Sequence, residues 1–250
     1  MATTVPAEAR APRTRARTWG RRFGNTLIAL GVVAVVYAAV VWFWGDPITA
    51  LWARYQQAGL SRAFDREVHD WPVPATVPPS PHPKAELATV RADAHKDAKA
   101  LSDSGPFGRL VIGRIGLKVI VVQGTDWWGD LSKGPGHYAN TSVPGLGRTV
   151  AIAGHRTTFG AWFRHIDSIR NGDAITLQMP YATFRYRVQY HRVVSSDDWG
   201  IIRPQGYERL VLSACHPLYS ASHRWVVFAR AVSVTPKGEP TVVMPEGARA

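Results

Sequence analysis

The 250-residue sequence predicts an all-β domain, a closed or nearly closed β-barrel of about seven to eight strands with short helices, preceded by one N-terminal transmembrane helix. Three observations carry this expectation. The twenty residues from Asn25 to Trp44 contain no charge. From about Gly108 onward, short apolar runs alternate with Gly, Pro, Asn and Asp, the punctuation of strands and turns. Within one run, Phe184, Tyr186, Val188 and Tyr190 alternate with Arg185, Arg187 and Gln189. That period of two sets one strand face inward and the other outward.

Residues 1–24 hold six arginines against one acid, Glu8. The uncharged run behind them would be about 30 Å long as a helix, the thickness of a bilayer core. Trp42 and Trp44 would then lie at the far interface. Arginines collect on the cytoplasmic side of a span. Residues 1–24 therefore read as a basic cytoplasmic tail, 25–44 as the transmembrane helix, and the rest as extracytoplasmic. A cleaved signal peptide has a shorter apolar core and a small-residue cleavage site, whereas this run is longer and ends in Trp-Phe-Trp-Gly-Asp-Pro.

Residues 45–105 read as a stalk and Pro-rich linker. Leu51, Trp52, Tyr55, Leu60 and Phe64 have helical spacing over 46–70. Six prolines between positions 71 and 85 then forbid a continuing helix and favour an extended spacer. An Ala-rich charged segment over 86–102 suits a short helix. The barrel is expected over 106–236, with strands at Arg109–Ile115, Lys118–Gln123, Thr149–Ala153, Ala174–Gln178, Thr183–Val194, Leu210–Ala214 and Arg224–Val234. A short helix is expected where Trp162, Phe163, Ile166 and Ile169 recur at helical spacing, before the turn at Asn171-Gly172-Asp173. Residues 237–250 form a C-terminal tail.

Hydrophobic residues make up 46% of the chain, enough for a sizeable core in one domain plus appendages. Net charge is +12. The most basic segment abuts the apolar span, which argues against a nucleic-acid partner. The single cysteine, Cys215, excludes an intrachain disulfide framework and a cysteine-based zinc site. No cofactor or metal is demanded; Asp197-Asp198 is the one adjacent acidic pair in the barrel region.

Cys215 ends the apolar run Leu210-Val211-Leu212-Ser213-Ala214, His155 follows a second run, and Arg224 opens a third. A thiolate is the reactive form of cysteine, and a neighbouring imidazolium or guanidinium stabilises it. His155 suits a general acid for a leaving amine. Arg224 stays charged and presents several N–H groups to a developing oxyanion. A lone Cys after an apolar strand equally suits a small buried core position, and the three residues converge only if their strands are neighbours. Arg230, six residues further along the same strand, is a second candidate for the Arg role. His216, next to the cysteine, reads as a loop residue.

The stretch Ala151-Ile152-Ala153-Gly154-His155-Arg156-Thr157-Thr158-Phe159-Gly160, together with Cys215-His216-Pro217-Leu218-Tyr219-Ser220-Ala221-Ser222-His223-Arg224, resembles the sortase family. The likeness is strongest to its class E actinobacterial housekeeping branch and covers about residues 108–235. Lys133-Gly134-Pro135-Gly136-His137-Tyr138 resembles a segment of the same class. The resemblance implies a sortase-type barrel in which Cys215 is the nucleophile, His155 the general acid/base, and Arg224 the group that orients substrate and stabilises the oxyanion. It implies a cysteine transpeptidase that cleaves a Leu-Pro-X-Thr-Gly or Leu-Ala-X-Thr-Gly sorting signal between Thr and Gly. The implied partners are secreted proteins carrying that C-terminal signal, a peptidoglycan precursor amine, and the lipid bilayer through the N-terminal anchor. Tyr138, Ser213 and Ala214 are expected substrate contacts, with Tyr138 favouring Ala over Pro at the second signal position. The family's usual Thr-Leu-X-Thr-Cys stands here as Val211-Leu212-Ser213-Ala214-Cys215: Ser213 keeps one hydroxyl and Ala214 loses the other. An L,D-transpeptidase would place Ser-His-Gly before its cysteine, which this chain does not. A non-catalytic membrane-tethered module for binding wall or surface protein is the alternative, and it would tolerate loss of Cys215.

Overall fold

The computed structural model describes residues 14–44, 46–73 and 83–244. The first 13 residues of the expected basic tail, positions 74–82 of the Pro-rich linker, positions 245–250 of the C-terminal tail and the Trp44 side chain lie outside the described residues. The chain divides into two compact units, Met1–Trp44 and Gly45–Ala250.

The first unit is helix α1, Thr14–Trp44. Its stretch Trp19–Trp42 is long and apolar enough to cross a membrane, and none of it is buried against protein. That fits a membrane anchor or a signal sequence.

The second unit opens with helix α2, Pro47–Asp70. Asp46 caps it, its side chain accepting from the Ile48 and Thr49 amides, and Pro47 fills the first turn, where no amide is missed. The helix stops at Trp71, before Pro72, as the residue preceding a proline is pushed out of the helical region. Helix α3 spans Pro83–Ala100.

Nine strands follow among the described residues: β1 Pro106–Ile112, β2 Leu117–Gln123, β3 Gly136–His137, β4 Thr149–Gly154, β5 Ala174–Gln178, β6 Ala182–Ser195, β7 Arg209–His216, β8 His223–Pro236 and β9 Val242–Val243. Their order is β6-β5-β1-β2-β3-β4-β7-β8-β9, and an additional β6–β8 pairing closes the first eight into a barrel. Closure removes the exposed sheet edges that an open arrangement would leave. Inside lie Leu110, Ile112, Val121, Ile152, Leu177, Phe184, Tyr186, Leu212 and Val227. A smaller cluster of Ala151, Val194, Val211, Val226 and Phe228 covers the outer face of β4, β7 and β8.

Three expectations are corrected. Residues 113–115 form a 3-10 turn rather than the end of β1. The expected helix around Trp162–Ile169 is reduced to a 3-10 turn at Ile166–Ser168. Phe159, Gly160 and Ala161 have positive φ (48°, 82° and 45°), so the ordered helical stretch cannot extend back through them, and the residues after them make consecutive turns that place Phe163 and Ile166 in the core. The alternation of β6 holds for buried Phe184, Tyr186 and Val188 but not for Tyr190, which is exposed. The register shifts between Val188 and Tyr190, and the bulge turns the Tyr190 ring onto Phe228, 4.6 Å away.

Helix α2, read from sequence as part of a stalk, packs on the barrel within the same unit. Strand β2 pairs with the two-residue β3 only at Val122 and Gln123, so the backbone of Ile120 lacks a strand partner on that side. Gln57 takes that place. Its Oε1 accepts from the Ile120 amide at 2.8 Å, and its Nε2 donates to the Ile120 and Lys133 carbonyls, both at 2.9 Å. Buried backbone groups must find such partners. Arg109 on β1 pairs with Asp65 at 2.8 Å. Lys237 donates to the carbonyls of Val68, His69 and Trp71, a cation at the negative end of the helix.

Glu208, wholly buried just before β7, holds the turn before β4. It accepts from the Gly145 and Gly147 amides at 2.7 and 3.1 Å and from the Tyr186 hydroxyl at 3.0 Å. Burial outweighs these donors and raises its carboxyl to about 7. A carboxyl raised on folding stabilises the fold when protonated, and that contribution is lost as pH rises from its unfolded value through 7. Glu208→Gln should therefore gain in melting temperature relative to the wild type between about pH 4.5 and 7.5, with a constant difference above that; a pH-independent difference would overturn the assignment.

Gly154 ends β4 where a Cβ would meet the ring of Phe163 at 2.5 Å. Phe163 is fully buried and its amide donates to the His155 carbonyl at 3.0 Å, so it cannot withdraw freely. Gly154→Ala is expected to lower stability by about 1–3 kcal/mol in chemical denaturation.

Candidate active site

Strand β7 has β4 on one side and β8 on the other. The β4–β7 pairing is parallel and sets Gly154 opposite Ala214, so His155 leaves β4 beside Cys215. The β7–β8 pairing is antiparallel and sets Cys215 directly opposite Arg224. The hydrophobic run of β7 thus carries the thiol to the barrel rim between the other two groups.

All six sequence-predicted site residues, Cys215, His155, Arg224, Tyr138, Ser213 and Ala214, line one cleft of about 260 Å³. Thr125, Trp127, Leu131, Ala153 and Gly154 complete its wall. Cys215 is partly exposed and free. The hydroxyls of Tyr138 and Ser213 share a hydrogen bond of 3.0 Å, which fixes both against the face of β7. Ala214 also reaches the barrel core, a position in which a polar side chain would need a partner. Arg224 donates Nη1 to the Ala221 and His223 carbonyls at 2.8 and 3.0 Å, which orients the guanidinium at the cleft edge.

His155 is buried, and its Nε2 makes no hydrogen bond. The indole of Trp127 meets its imidazole edge-on at a centroid distance of 4.3 Å, and Phe159 lies tilted at 5.4 Å. Burial in these aromatic surroundings lowers its pKa to about 4, so the imidazole is neutral at pH 7. Trp127 is held in place by its loop. Asp126 accepts from the amides of Trp128 and Gly129, Asp130 accepts from the Asp126 amide, and Ser104 donates to Asp130.

Two contributors were not singled out in the sequence. Trp127 is one; a Trp-Trp pair in a polar, glycine-flanked loop was its only signal. Arg156 is the other, although it sits within the quoted Gly-His-Arg. It is buried, pairs with Asp167 at 2.6 Å and donates to the Cys215 carbonyl at 3.4 Å, tying the His155 segment to the end of β7. Arg230 is not brought to the cleft. Its guanidinium lies over the Tyr207 ring, six residues or about 20 Å along β8 from Arg224. His216, expected in a loop, is instead the last residue of β7, paired with His223, and its ring lies toward Trp225 at a centroid distance of 5.5 Å. Asp197 accepts from Ser195, and Asp198 caps the 3-10 turn at Trp199–Ile202. Among the described residues no group of three or more His, Cys, Asp or Glu is placed to hold a metal ion.

Comparison with known proteins places this geometry. The family profile of the sortase domain matches residues 110–232. Sortase D of Bacillus subtilis (strain 168) is 32% identical over 130 residues, covering 50% of this chain and 64% of that protein. Sortase SrtE1 of Streptomyces coelicolor is 26% identical over 155 residues, covering 55% of this chain and 44% of that one. The chain thus spans less than two thirds of the length of either relative. Among solved structures, a Clostridium perfringens sortase D5 transpeptidase superposes with a TM-score of 0.57 over 71% of this chain and 99% of its own; at 19% identity it speaks for the fold alone. Sortase E from Streptomyces avermitilis is 33% identical, with a TM-score of 0.50 over 56% of this chain and 97% of its own. Relatives carrying D and E names both occur, so the likeness does not choose between those branches. With the profile spanning the barrel and the sortase E structure matched over nearly its whole length, the chain belongs to the sortase family.

Proposed function

We propose that this chain is a membrane-anchored cysteine transpeptidase that cleaves a Leu-Ala-X-Thr-Gly or Leu-Pro-X-Thr-Gly sorting signal between Thr and Gly and joins the released carbonyl to a cell-wall peptidoglycan amine. Its barrel lies outside the membrane and its N-terminus in the cytoplasm. The observation that carries the proposal is the convergence of Cys215, His155 and Arg224, from three adjacent strands, on one cleft.

The neutral His155 sets the proton path. The Cys215 sulfur attacks the Thr carbonyl carbon as its thiol proton passes to the imidazole. Arg224 stabilises the resulting oxyanion from the cleft edge. The C–N bond then breaks, and the His155 imidazolium returns its proton to the departing Gly amine. This leaves a thioester on Cys215. The acceptor amine attacks the thioester, its surplus proton passes to His155, and the C–S bond breaks as that proton returns to sulfur. The Tyr138–Ser213 pair lies beside this path and supports a role in holding the signal peptide. Class E membership is proposed on the quoted motifs and the 33% identity to a sortase E, and it predicts a preference for Ala at the second signal position.

Two measurements test this reading. Incubation of the full chain with paired Leu-Ala-X-Thr-Gly and Leu-Pro-X-Thr-Gly peptides and an amine should give Thr–amine product by mass spectrometry. Cys215→Ala should abolish it, and Arg224→Ala should lower turnover by about 10²–10³-fold, the scale of one lost oxyanion donor. Product formation by Cys215→Ala would favour the non-catalytic reading of this cleft. For the proton path, Trp127→Ala should let water reach the imidazole and raise the His155 pKa from about 4 toward 6.5, read by NMR titration. An unchanged titration would remove Trp127 from that role.

A further inference from the structure

Helix α2 turns two different faces outward along its length. Its inner face is the one buried on the barrel through Ala53 and Phe64. Its outer face begins with Ile48, Leu51, Trp52 and Tyr55, spaced i, i+3, i+4 and i+7, which is one stripe of a helix. These four side chains are 68%, 72%, 52% and 74% exposed. Beyond Tyr55 the same face continues as Gly59, Arg62 and Arg66, all exposed. The outward apolar stripe is therefore confined to the first two turns. Soluble surfaces rarely gather large apolar side chains in this way unless something covers them.

The stripe joins the active-site rim. The Phe159 amide donates to the Thr49 hydroxyl of the first turn at 2.9 Å. The Trp128 ring, 74% exposed, stands edge-on to Phe159 at 5.7 Å, next in sequence to the Trp127 that touches His155. The exposed aromatics of α2 and of the cleft loop thus belong to one corner of the domain.

Covalent continuity says what covers this corner. Ile48 is four residues beyond Trp44, the end of the apolar helix, and four residues reach at most about 14 Å. The headgroup layer outside a bilayer core is about 5–8 Å deep. On the anchor reading of α1, the linkage therefore keeps the first turns of α2 within reach of the membrane surface. Trp and Tyr with aliphatic neighbours are the side chains that settle at that boundary, and exposed Arg54 at the edge of the stripe suits anionic headgroups.

We propose that the first two turns of α2, together with Trp128, form a lipid-docking surface that seats the catalytic cleft at the headgroup level of the membrane spanned by α1. The inference rests on the anchor reading of α1. Docking here adds a second attachment to the span, fixes the cleft mouth against the membrane, and confines substrates to those presented at the lipid surface.

The test uses the full chain carrying Cys215→Ala, which removes the only thiol. Single cysteines are introduced as Leu51→Cys, Trp128→Cys, Val33→Cys and Val243→Cys, labelled with a small fluorophore, and the chain is reconstituted in phosphatidylcholine–phosphatidylglycerol vesicles with or without brominated acyl chains. Val33 lies in α1. Val243 is exposed on β9, at the end of the barrel where Lys237 meets the C-terminus of α2, about 36 Å along that helix from its start. The proposal expects labels at Val33, Leu51 and Trp128 to lose most of their emission in brominated lipid while the Val243 label keeps its own. Quenching at Val33 with Leu51 and Trp128 no more quenched than Val243 would overturn the docking surface and leave the anchor intact. No quenching at Val33 would remove the anchor and the inference with it. Energy transfer between Leu51 labels on different chains, without lipid quenching, would assign the stripe to a second copy and overturn the proposal. Because Leu51 and Trp128 are both exposed, either label reads the surface if the other variant fails to fold.

Discussion

The register of β7 between β4 and β8 is the constraint on which the site depends. Cys215 stands opposite Arg224 and one residue past the pair Gly154–Ala214, so three groups distant in sequence become neighbours through backbone hydrogen bonds alone. Because side chains alternate along a strand, a slip of one residue would turn the thiol to the opposite face, away from Arg224 and the His155 segment. The barrel defends that register from both sides. The β6–β8 pairing closes the sheet, and Glu208 pins the turn before β4 to the start of β7. Arg156 adds a local lock at the rim by joining the segment after β4 to the Cys215 carbonyl.

Much of this was legible in the sequence because the signals were local. The alternation through Phe184, Tyr186 and Val188, the run that ends at Cys215 and the turn at Gly172 each depend on a few neighbouring residues. The barrel and the sortase resemblance followed from them. Four things were not legible, each because its cause lies elsewhere in the chain. Strand β3 is two residues long and exists only because β2 and β4 flank it. Tyr190 leaves its expected face at a bulge created by pairing with β8. The spacing of Trp162, Phe163 and Ile166 mimics a helix, but Phe163 and Ile166 enter the core from a loop that makes only a 3-10 turn at Ile166–Ser168. Similarly, Gln57 reads as a polar helix residue, and its role as a surrogate strand for Ile120 appears only once β3 is seen to be short.

Electrostatically, burial shifts several titratable groups of the domain toward their neutral forms. His155 and His137 are both lowered to about 4, chiefly by burial, whereas Glu208 and Asp97 are raised to about 7. The two sets act on stability with opposite signs. The neutral histidines favour the fold as pH rises from about 4 to 6.5, and the protonated carboxyls disfavour it as pH rises from their unfolded values to about 7. His137 differs from His155 in having every ring nitrogen engaged, with Gln123, Thr141 and the Ser142 carbonyl as partners and Phe107 stacked at 3.8 Å. Its neutrality is structural. His155 has an idle Nε2, and idle basicity in a cleft is what a proton carrier needs.

The indole of Trp127 edge-on to His155 bears on the fate of the thioester proposed at Cys215. Such an acyl-enzyme has two exits, attack by an amine or attack by water. The Trp127 indole puts an apolar ring edge-on against the imidazole, where a water molecule finds no hydrogen-bond partner, while a primary amine arriving along the cleft is the stronger nucleophile. In the proposed reaction, an apolar ring beside the imidazole would bias the partition toward bond exchange and against hydrolysis, with selectivity set by which nucleophile can reach the base and not by which is more abundant.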